Sequence, residues 1–412
     1  MLARLLTIAL PLAAGGLPVA AQADRGPITI GAARILDGRG ESWKNATVVV
    51  DGGRILRMEP RPVERPTFSF PNGTLLPGLI DVHVHATAYI NRRARMHTAD
   101  DGDTPGQAVL SAAANAHRTL LAGFTTVASI GAADDGDLRD WIARGEVPGP
   151  RVLTSLEPIT NAGLAPEQLR AEVARRVDRG ANLIKLFASK SIREGGAQTM
   201  SQAQLEAACG EARARNVPSI VHAHSVESIR AAILAACHQV EHGVFATAEV
   251  LTLMAERGTF FDPQCSLIFR NYLDHRQWFQ GIGNFNDEGF AAMERAMPLA
   301  VAVVRSAAAT PGLKLVYGTD AVAGAHGRNA EDLICRVRQA GQRPMDAIVA
   351  ATSRNAAALG LSREIGAIAP GLHADLIVVQ GNPLDDITAL QRVVLVMRAG
   401  QIYRHDPTLA PR

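Results

Sequence analysis

Residues 79–86 have the sequence LIDVHVHA, an apolar stretch in which Asp81, His83 and His85 occupy alternate positions. Side chains alternate between the two faces of a β-strand, so these three polar groups share one face and β-branched residues fill the other. A half-exposed strand with its polar face in water explains this pattern as well as a ligand strand does, because one His-x-His is a weak signal. The rest of the chain must distinguish the two interpretations.

Strands and helices alternate through the middle of the chain. The candidate strands are Leu76–Ala86, Phe124–Ile130, Arg151–Leu156, Asn182–Ala188, Ser219–His224, Gln239–His242, Thr259–Asp262 and Lys314–Asp320. Alanine-rich helical stretches separate most of them, and Thr104 with Gln107, and Ser201 with Gln204, fit capping boxes at helix starts. No G-x-G-x-x-G follows a strand, which argues against an open dinucleotide-binding sheet. The pattern predicts an α/β fold with a (β/α)8 TIM barrel over residues 76–364.

Both ends of the chain carry short β-branched runs interrupted by turn residues. Asp-Gly and Gly-Gly pairs break the runs between residues 28 and 59, and the segments ADLIVVQGNP (374–383) and RVVLVMRAGQIYR (392–404) have the same character. We therefore expect residues 24–75 and 365–412 to pair into one small β-sandwich domain.

Polar side chains collect at the carboxyl ends of the predicted barrel strands, where TIM barrels carry their chemistry. They are His83 and His85 on the first strand, Lys185 on the fourth, His222 and His224 on the fifth, His242 on the sixth and Asp320 on the eighth. Each alone is compatible with a satisfied core residue. Five histidines with an aspartate and a lysine at matched positions predict a metal site, and the first strand is then a ligand strand.

Lys185 lies in the apolar run NLIKLFAS, residues 182–189. Burying its ammonium without a partner would cost several kcal/mol, roughly. One solution leaves the ammonium in water at the strand end. The other is chemical: the amine reacts with carbon dioxide to give N6-carboxylysine, a carbamate anion that can bridge two metal ions. We favour the carbamate.

The segments LLPGLIDVHVH, NLIKLFAS, VHAHS, VEHG and GTDA occur in this order, and together they resemble the amidohydrolase superfamily. The resemblance is to the branch of imidazolonepropionase and the prolidase-like metal-dependent hydrolases, and it covers nearly all of the chain after residue 23. It implies a binuclear centre with two divalent metal ions. The implied ligands are His83, His85 and Asp320 for one ion, His222 and His242 for the other, and the carbamate of Lys185 as the bridge.

The resemblance also implies where a substrate would bind. His224 occupies the position at which related peptidases contact the substrate, and His326 matches a histidine that many members carry after the eighth strand. Arg328 could hold a carboxylate bidentately, or form an ordinary surface salt bridge. The long irregular segment 264–285 after strand 7 is expected at the mouth of the site. The candidate substrate contacts are His224, His326, Arg328, Asn271 and Tyr272.

Imidazole and oxygen ligands without a thiolate favour Zn²⁺, with Mn²⁺ or Co²⁺ as alternatives. A water between two such ions would be the nucleophile, and Asp320 would take its proton and return it to the leaving amine. The expected enzyme is a metal-dependent amidohydrolase acting on C–N bonds of dipeptides or N-acyl amino acids.

Several other functions remain open. A lactonase or phosphotriesterase would use the same bimetal centre. A mononuclear deaminase would use His224 with Glu227 as its His-x-x-Glu pair, but would have no use for a bridging carbamate on Lys185. A non-catalytic binding protein would be expected to lack a ligand, and a serine hydrolase would need a G-x-S-x-G.

The N-terminal 23 residues combine Arg4, a long apolar run and the sequence Ala21-Gln22-Ala23. This order predicts a signal peptide cleaved before Asp24 and a periplasmic or secreted protein, with an uncleaved membrane anchor as the alternative. Lys and Arg number 42 against 40 Asp and Glu, a net charge of +2, which disfavours nucleic acid or an anionic membrane as partner. We expect a small-molecule substrate, and a homo-oligomer is compatible with the sequence.

The chain has four cysteines, at positions 209, 237, 265 and 335, and no C-x-x-C pair. Export would permit disulfides, and four cysteines allow three full pairings that sequence cannot choose among. So few cysteines in a chain of 412 residues favour buried free thiols over disulfides.

Overall fold

The computed structural model describes residues 26–406, so the predicted signal peptide lies outside the described residues. The strands in this range are β1 (Ile28–Leu36), β2 (Ser42–Asp51), β3 (Arg54–Glu59), β4 (Phe68–Pro77), β5 (Leu79–Val84), β6 (Phe124–Ser129), β7 (Arg151–Thr154), β8 (Ile184–Phe187), β9 (Ser219–Ala223), β10 (Gln239–His242), β11 (Phe260–Asp262), β12 (Lys314–Leu315), β13 (Leu376–Gln380), β14 (Val393–Arg398) and β15 (Gln401–His405).

The helices in the same range alternate with the central strands. They are α1 (Pro105–Leu121), α2 (Asp135–Ala143), α3 (Pro166–Asp178), α4 (Gln202–Ala214), α5 (Val226–Leu234), α6 (Ala248–Arg257), α7 (Leu267–Asp274), α8 (Arg276–Phe279), α9 (Asp287–Ala309), α10 (Ala330–Arg338), α11 (Pro344–Val349) and α12 (Asn355–Ala358). A π-helical turn, Ala350–Arg354, joins the last two. Among these helices, none has both the length and the hydropathy needed to span a membrane.

The two ends of the chain form one seven-stranded sheet in the order β15-β14-β13-β4-β1-β2-β3. Its central strands are rich in β-branched and aliphatic residues, and side chains such as Ile30, Leu75 and Val378 are fully buried. Leu75 of β4 pairs with Val378 of β13, more than 300 residues later in the chain. The predicted pairing of the two ends is confirmed. A two-layer sandwich is not confirmed, since all seven strands belong to a single hydrogen-bonded sheet.

The central strands are parallel and form two sheets, β5-β6-β7 and β12-β11-β10-β9-β8. Hydrogen bonds join the sheets at both edges. At one edge the Val82 amide donates to the Tyr317 carbonyl over 3.1 Å, and at the other the Ile159 amide donates to the Lys185 carbonyl over 2.8 Å. The predicted α/β class is therefore confirmed.

The predicted central strands are all present, and the bounds of two of them differ from the prediction by more than two residues. Residues 76 and 77 belong to β4 of the terminal sheet, and β5 begins only at Leu79. Gly78 lies between the two strands. A Cβ at this position would lie 2.1 Å from the Thr125 hydroxyl oxygen, so only glycine fits. The eighth strand is short because β12 pairs only through Lys314 and Leu315.

Both predicted capping boxes are formed. The Gln107 amide donates to the Thr104 hydroxyl over 3.3 Å, and the Thr104 amide donates to the Gln107 side chain over 2.8 Å. Ser201 and Gln204 make the same reciprocal pair at 3.4 and 2.7 Å. These bonds satisfy amides that the first turns of α1 and α4 would otherwise leave without partners.

The expectation of free thiols is wrong. Disulfides join Cys209 of α4 to Cys237, 28 residues later, and Cys265 to Cys335 of α10, 70 residues later. Sequence spacing gave no sign of these pairs because the partners are brought together only by packing of neighbouring α/β units. In the chain-entropy model, loops of these lengths correspond to a stabilisation of about 3–4 kcal/mol for each disulfide.

Candidate metal centre and active site

A cavity of about 280 Å³ lies at the carboxyl ends of the central parallel strands. Every polar residue that the sequence placed at a strand end contributes to its lining. These residues are His83, His85, Lys185, His222, His224, His242 and Asp320. The register of the strands therefore brings together in space the side chains predicted to meet there.

The first group of possible metal ligands contains His83, His85 and Asp320. Asp320 Oδ1 lies 3.2 Å from His83 Nε2 and 3.0 Å from His85 Nε2. Burial alone would raise the pKa of Asp320, but the two imidazoles hold it well below 3.8, so the carboxylate is ionised. Asp320 also has φ +56°, a strained conformation that a non-glycine residue keeps only when its surroundings enforce it.

The second group contains His222, His224 and His242, whose ligand atoms lie within 4.8 Å of one another. Burial lowers the pKa of His222 and of His242 well below 6.5, so both imidazoles are neutral and can donate a lone pair. His242, like Asp320, has a positive φ, +66°. His224 was predicted as a substrate contact, and the structure places it against both predicted ligands.

Lys185 is buried, with 1% of its side chain exposed, so its ammonium does not extend into water. Its Nζ lies 2.8 Å from Oε2 of Glu241, and the same carboxylate oxygen contacts His83 Nδ1. Burial works against a charged imidazole, but Glu241 outweighs it and raises the pKa of His83 to about 9, so a metal ion bound by His83 would have to displace a proton. The ion pair neutralises Lys185 in a way that the sequence analysis missed. The sequence signal for this pair was Glu241, an acidic residue in the buried strand QVEH.

The donor set fits divalent metal ions. Each group offers imidazole nitrogens, the first adds an ionised carboxylate, and a third group, His83 with Glu241 and His242, overlaps both; none contains a thiolate. The buried Nδ1 of His224 has no hydrogen-bond partner among the described residues, which is unusual for a buried polar atom. The structure thus presents two adjacent ligand groups at one cavity.

A layer of buried polar residues orients these ligands. Gln264 Oε1 lies 2.6 Å from His242 Nδ1, and the Gln264 amide donates to Asp262 over 2.9 Å. Asp81, the first polar residue of the opening strand, does not line the cavity. It accepts a hydrogen bond from the Thr319 hydroxyl over 2.6 Å and so fixes the residue before Asp320. Such second-layer contacts set the orientation of metal ligands.

The other predicted substrate contacts divide into two classes. Tyr272 lines the cavity, whereas Asn271, His326 and Arg328 do not. Arg328 forms the salt bridge that was its alternative role, with Nε and Nη2 donating to Glu331 over 2.9 and 2.8 Å. Asn271 is buried and donates to the Ala323 carbonyl over 3.0 Å.

Glu227, the acid of the alternative deaminase pair, is exposed in the first turn of α5 and does not line the cavity.

The segment 264–285 was expected to be irregular, yet it contains α7 and α8. Its position at the mouth is as predicted, since Gln264, Ile268 and Tyr272 all line the cavity.

Arg193 is a cavity residue that the sequence analysis did not identify. It lies in the short 3-10 helix Ile192–Glu194, after β8, and its guanidinium carbon is 4.0 Å from the centre of the Phe285 ring. Burial lowers the pKa of the nearby His224 to about 3, and the Arg193 charge acts in the same direction. The local sequence SIREGG gave no signal for this role, because it resembles an ordinary exposed turn.

Comparisons with known proteins agree on one family. The model of the amidohydrolase family matches residues 74–403. The ochratoxinase of Aspergillus niger is 27% identical over 95% of this chain and 90% of its own length. A crystal structure of a Xaa-Pro dipeptidase with bound methionine has a TM-score of 0.81 and 27% identity, covering 92% of this chain and 100% of that chain. The crystal structure of A. niger ochratoxinase shares the fold, with a TM-score of 0.77 and 22% identity over 93% of this chain and 99% of that chain.

Proposed function

The chain belongs to the amidohydrolase family, a hydrolytic enzyme family acting on C–N bonds, and from that premise we propose that it is an exported binuclear-metal amide hydrolase. Its substrates would be dipeptides or N-acyl amino acids. The observation that carries the proposal is the presence of two ligand groups side by side at one cavity. Relatives named as an ochratoxinase and a Xaa-Pro dipeptidase support an amide as the scissile bond.

The two groups would hold two divalent ions, Zn²⁺ being the ion that best suits these donors. His83, His85 and Asp320 would hold one ion, His222 and His242 the other, and Lys185, as N6-carboxylysine, would bridge them. When bound, the ions would supply an activated water and polarise the scissile carbonyl.

Asp320 and His224 would perform the proton transfer and orientation. Asp320 is ionised, and its Oδ1 is directed to the two imidazoles of the first group, which leaves Oδ2 to accept a proton and pass it to the leaving nitrogen. The His224 imidazole is neutral, so one of its nitrogens can donate a hydrogen bond to the carbonyl oxygen of the substrate. Neither step requires a covalent intermediate on the protein.

The proposed architecture is a closed (β/α)8 barrel that begins at β5, after residues 76 and 77, and extends to residue 364, with the segments on either side as the second domain. The hydrogen bonds that join the two parallel sheets at both edges support closure. A closed barrel would also explain why seven side chains from five strands meet in one cavity.

Export is supported by the two disulfides, since such bonds persist in oxidising compartments and are rare in a reducing cytosol. We expect the mature protein to be recovered from the periplasm or the medium, with an N-terminus at about Asp24. N-terminal sequencing of secreted and cytoplasmic fractions tests this. Recovery of the full-length chain in the cytoplasm alone would overturn the export proposal.

The activity is tested with purified protein of measured metal content, assayed against dipeptides, N-acyl amino acids, lactones and phosphotriesters. We expect hydrolysis of the amides, loss of activity on chelation, and recovery when Zn²⁺ is restored to two ions per chain. Turnover confined to lactones or phosphotriesters would keep the metal centre but reject the substrate class. Full activity with one ion per chain would reject the binuclear centre.

A further inference from the structure

Outside the predicted ligands, the cavity wall is largely apolar and carries one strong charge. Ile268, Phe269, Met293 and Val322 are among the side chains that line it. Of the described residues in the lining, Arg193 is the charged one that does not come from a strand end. A cationic group in an apolar wall is the arrangement of a site that orients an amphipathic ligand by one anionic group.

The charge of Arg193 has no carboxylate partner within the described range, residues 26–406. Two other cations have such a partner: Lys185 is paired with Glu241, and Arg328 is paired with Glu331. Glu194 is adjacent to Arg193 in sequence, but it accepts a hydrogen bond from Asn284 over 2.8 Å instead. Arg193 is half-buried, so its charge is only partly compensated by water.

The guanidinium is held in place by hydrogen bonds and by contacts with aromatic rings. Its Nε donates to Asn284 Oδ1, its Cζ lies 4.0 and 5.6 Å from the ring centres of Phe285 and Tyr272, and the Tyr272 hydroxyl is a further hydrogen-bond partner. Aromatic contacts of this kind fix an arginine without using the paired N–H groups that bind a carboxylate. The side chain is therefore held in position before a ligand arrives, and among the described residues no carboxylate occupies its terminal N–H groups.

The loop that carries Arg193 also rests on the candidate catalytic histidine. A Cβ on Gly196 would lie only 2.7 Å from the Cβ of His224, so the glycine backbone packs closely against the His224 side chain. Arg193 and His224 also both line the cavity. In an N-acyl amino acid only the amide nitrogen and one carbon separate the carboxylate from the scissile carbonyl. The residues that bind the carboxylate and the carbonyl must therefore be neighbours in the cavity.

We propose that Arg193 is the specificity-determining residue of the site. It holds the free carboxylate of the leaving amino acid, while the apolar wall formed by Ile268, Phe269 and Met293 accepts a large apolar side chain of that residue. The substrate class is then an amide formed on the amine of a large apolar amino acid. This inference rests on the proposed amide hydrolysis and replaces Arg328 with Arg193 as the carboxylate ligand.

The test uses matched probes, N-acetylphenylalanine and N-acetylphenylalanine amide, with the metal-loaded protein. We expect wild type to favour the acid in kcat/KM by about 10–100-fold, the range of a charge-assisted bidentate contact. Arg193→Met should abolish that preference, mainly through KM, because it should lower kcat/KM for the acid probe far more than for the amide probe. Arg193→Lys should retain part of it. Arg270→Met, which removes an exposed arginine of α7, is the matched control and should behave as wild type.

Calorimetric binding of the two probes gives a second readout that does not depend on turnover. If neither probe is hydrolysed but wild type binds the acid at least ten times more tightly and Arg193→Met does not, the proposed reaction fails and the role of Arg193 stands. Equal binding of acid and amide by wild type overturns the inference. So does an Arg193→Met variant that keeps the preference, or an Arg328→Met variant that loses it instead. N-acetylalanine should be a weaker substrate than N-acetylphenylalanine, and the reverse order would exclude the apolar subsite.

Discussion

The base and the mouth of the cavity are built in different ways. The base consists of the strand-end residues, such as His83, Lys185 and Asp320, and strand register fixes where each side chain points. The mouth consists of residues 191–196 and 264–285, and contacts between these distant segments position it. Arg193, for example, is held by Asn284, 91 residues further along the chain. The base therefore carries its chemistry in a local pattern, whereas the chemistry of the mouth depends on tertiary packing.

The largest expected effect tests the base. Lys185→Ala should lower turnover by roughly 10³-fold or more, because loss of a bridging ligand removes the arrangement that activates water. The measurements are kcat, metal stoichiometry, and the mass of the native protein, which a carbamate increases by one carbon dioxide. Reactivation of the apoprotein should be faster when bicarbonate accompanies the metal, and a short carboxylic acid should restore part of the activity of the variant. Lys190→Ala, an exposed lysine in the following loop, is the control.

This experiment also separates the two accounts of Lys185. If Lys185 only forms an ion pair with Glu241, its removal leaves a buried carboxylate without that partner, and the protein should lose stability but keep two metals. A variant that binds two ions and turns over normally would contradict the bridging carbamate. An increase in native mass that disappears in Lys185→Ala would support it.

The next prediction compares the two disulfides. Removing either as a pair of alanines should lower the free energy of unfolding by about 3–4 kcal/mol, measured by denaturant titration under oxidising conditions. Only the Cys265→Ala, Cys335→Ala protein should also change KM, because Cys265 lies two residues before the mouth helix α7 and its backbone amide donates to Asp332. The Cys209→Ala, Cys237→Ala protein is the matched control. Equal effects of the two pairs on KM would show that the mouth is not specifically tied down by its disulfide.

The sequence could predict the base because a small number of local rules determine it. Alternation along LIDVHVHA placed His83 and His85 on one side, and strand ends placed His222, His242 and Asp320 at the same level of the fold. Capping boxes located the starts of two helices for the same local reason. Arg193 and the disulfides were missed because their partners are distant in sequence, and no periodic signal reports a contact across 91 residues.

A smaller effect is expected at Gln264, the first residue of the mouth segment 264–285, which supports His242 of the base. Gln264→Leu removes the acceptor of the His242 hydrogen bond and should weaken retention of the second metal by about 10–100-fold, as other second-layer changes do. Equilibrium dialysis against a chelator of known affinity measures the retention of each ion. Gln280→Leu, an exposed glutamine in the same segment, should leave both ions bound as in wild type. Unchanged retention in Gln264→Leu would show that His242 needs no such support.

The smallest effect is expected for Arg328→Met, and it sharpens the contrast with Arg193. Arg328 donates twice to Glu331 and once, over 3.3 Å, to Asn271, so its donors are already occupied outside the cavity. About a third of its side chain is exposed, and water compensates much of a lost pair there, so the free energy of unfolding should change by less than about 1 kcal/mol. Hydrolysis of N-acetylphenylalanine should keep its wild-type kcat/KM. A large rise in KM would mean that the loop after the eighth strand turns Arg328 toward the substrate, contrary to the packing seen in the structure.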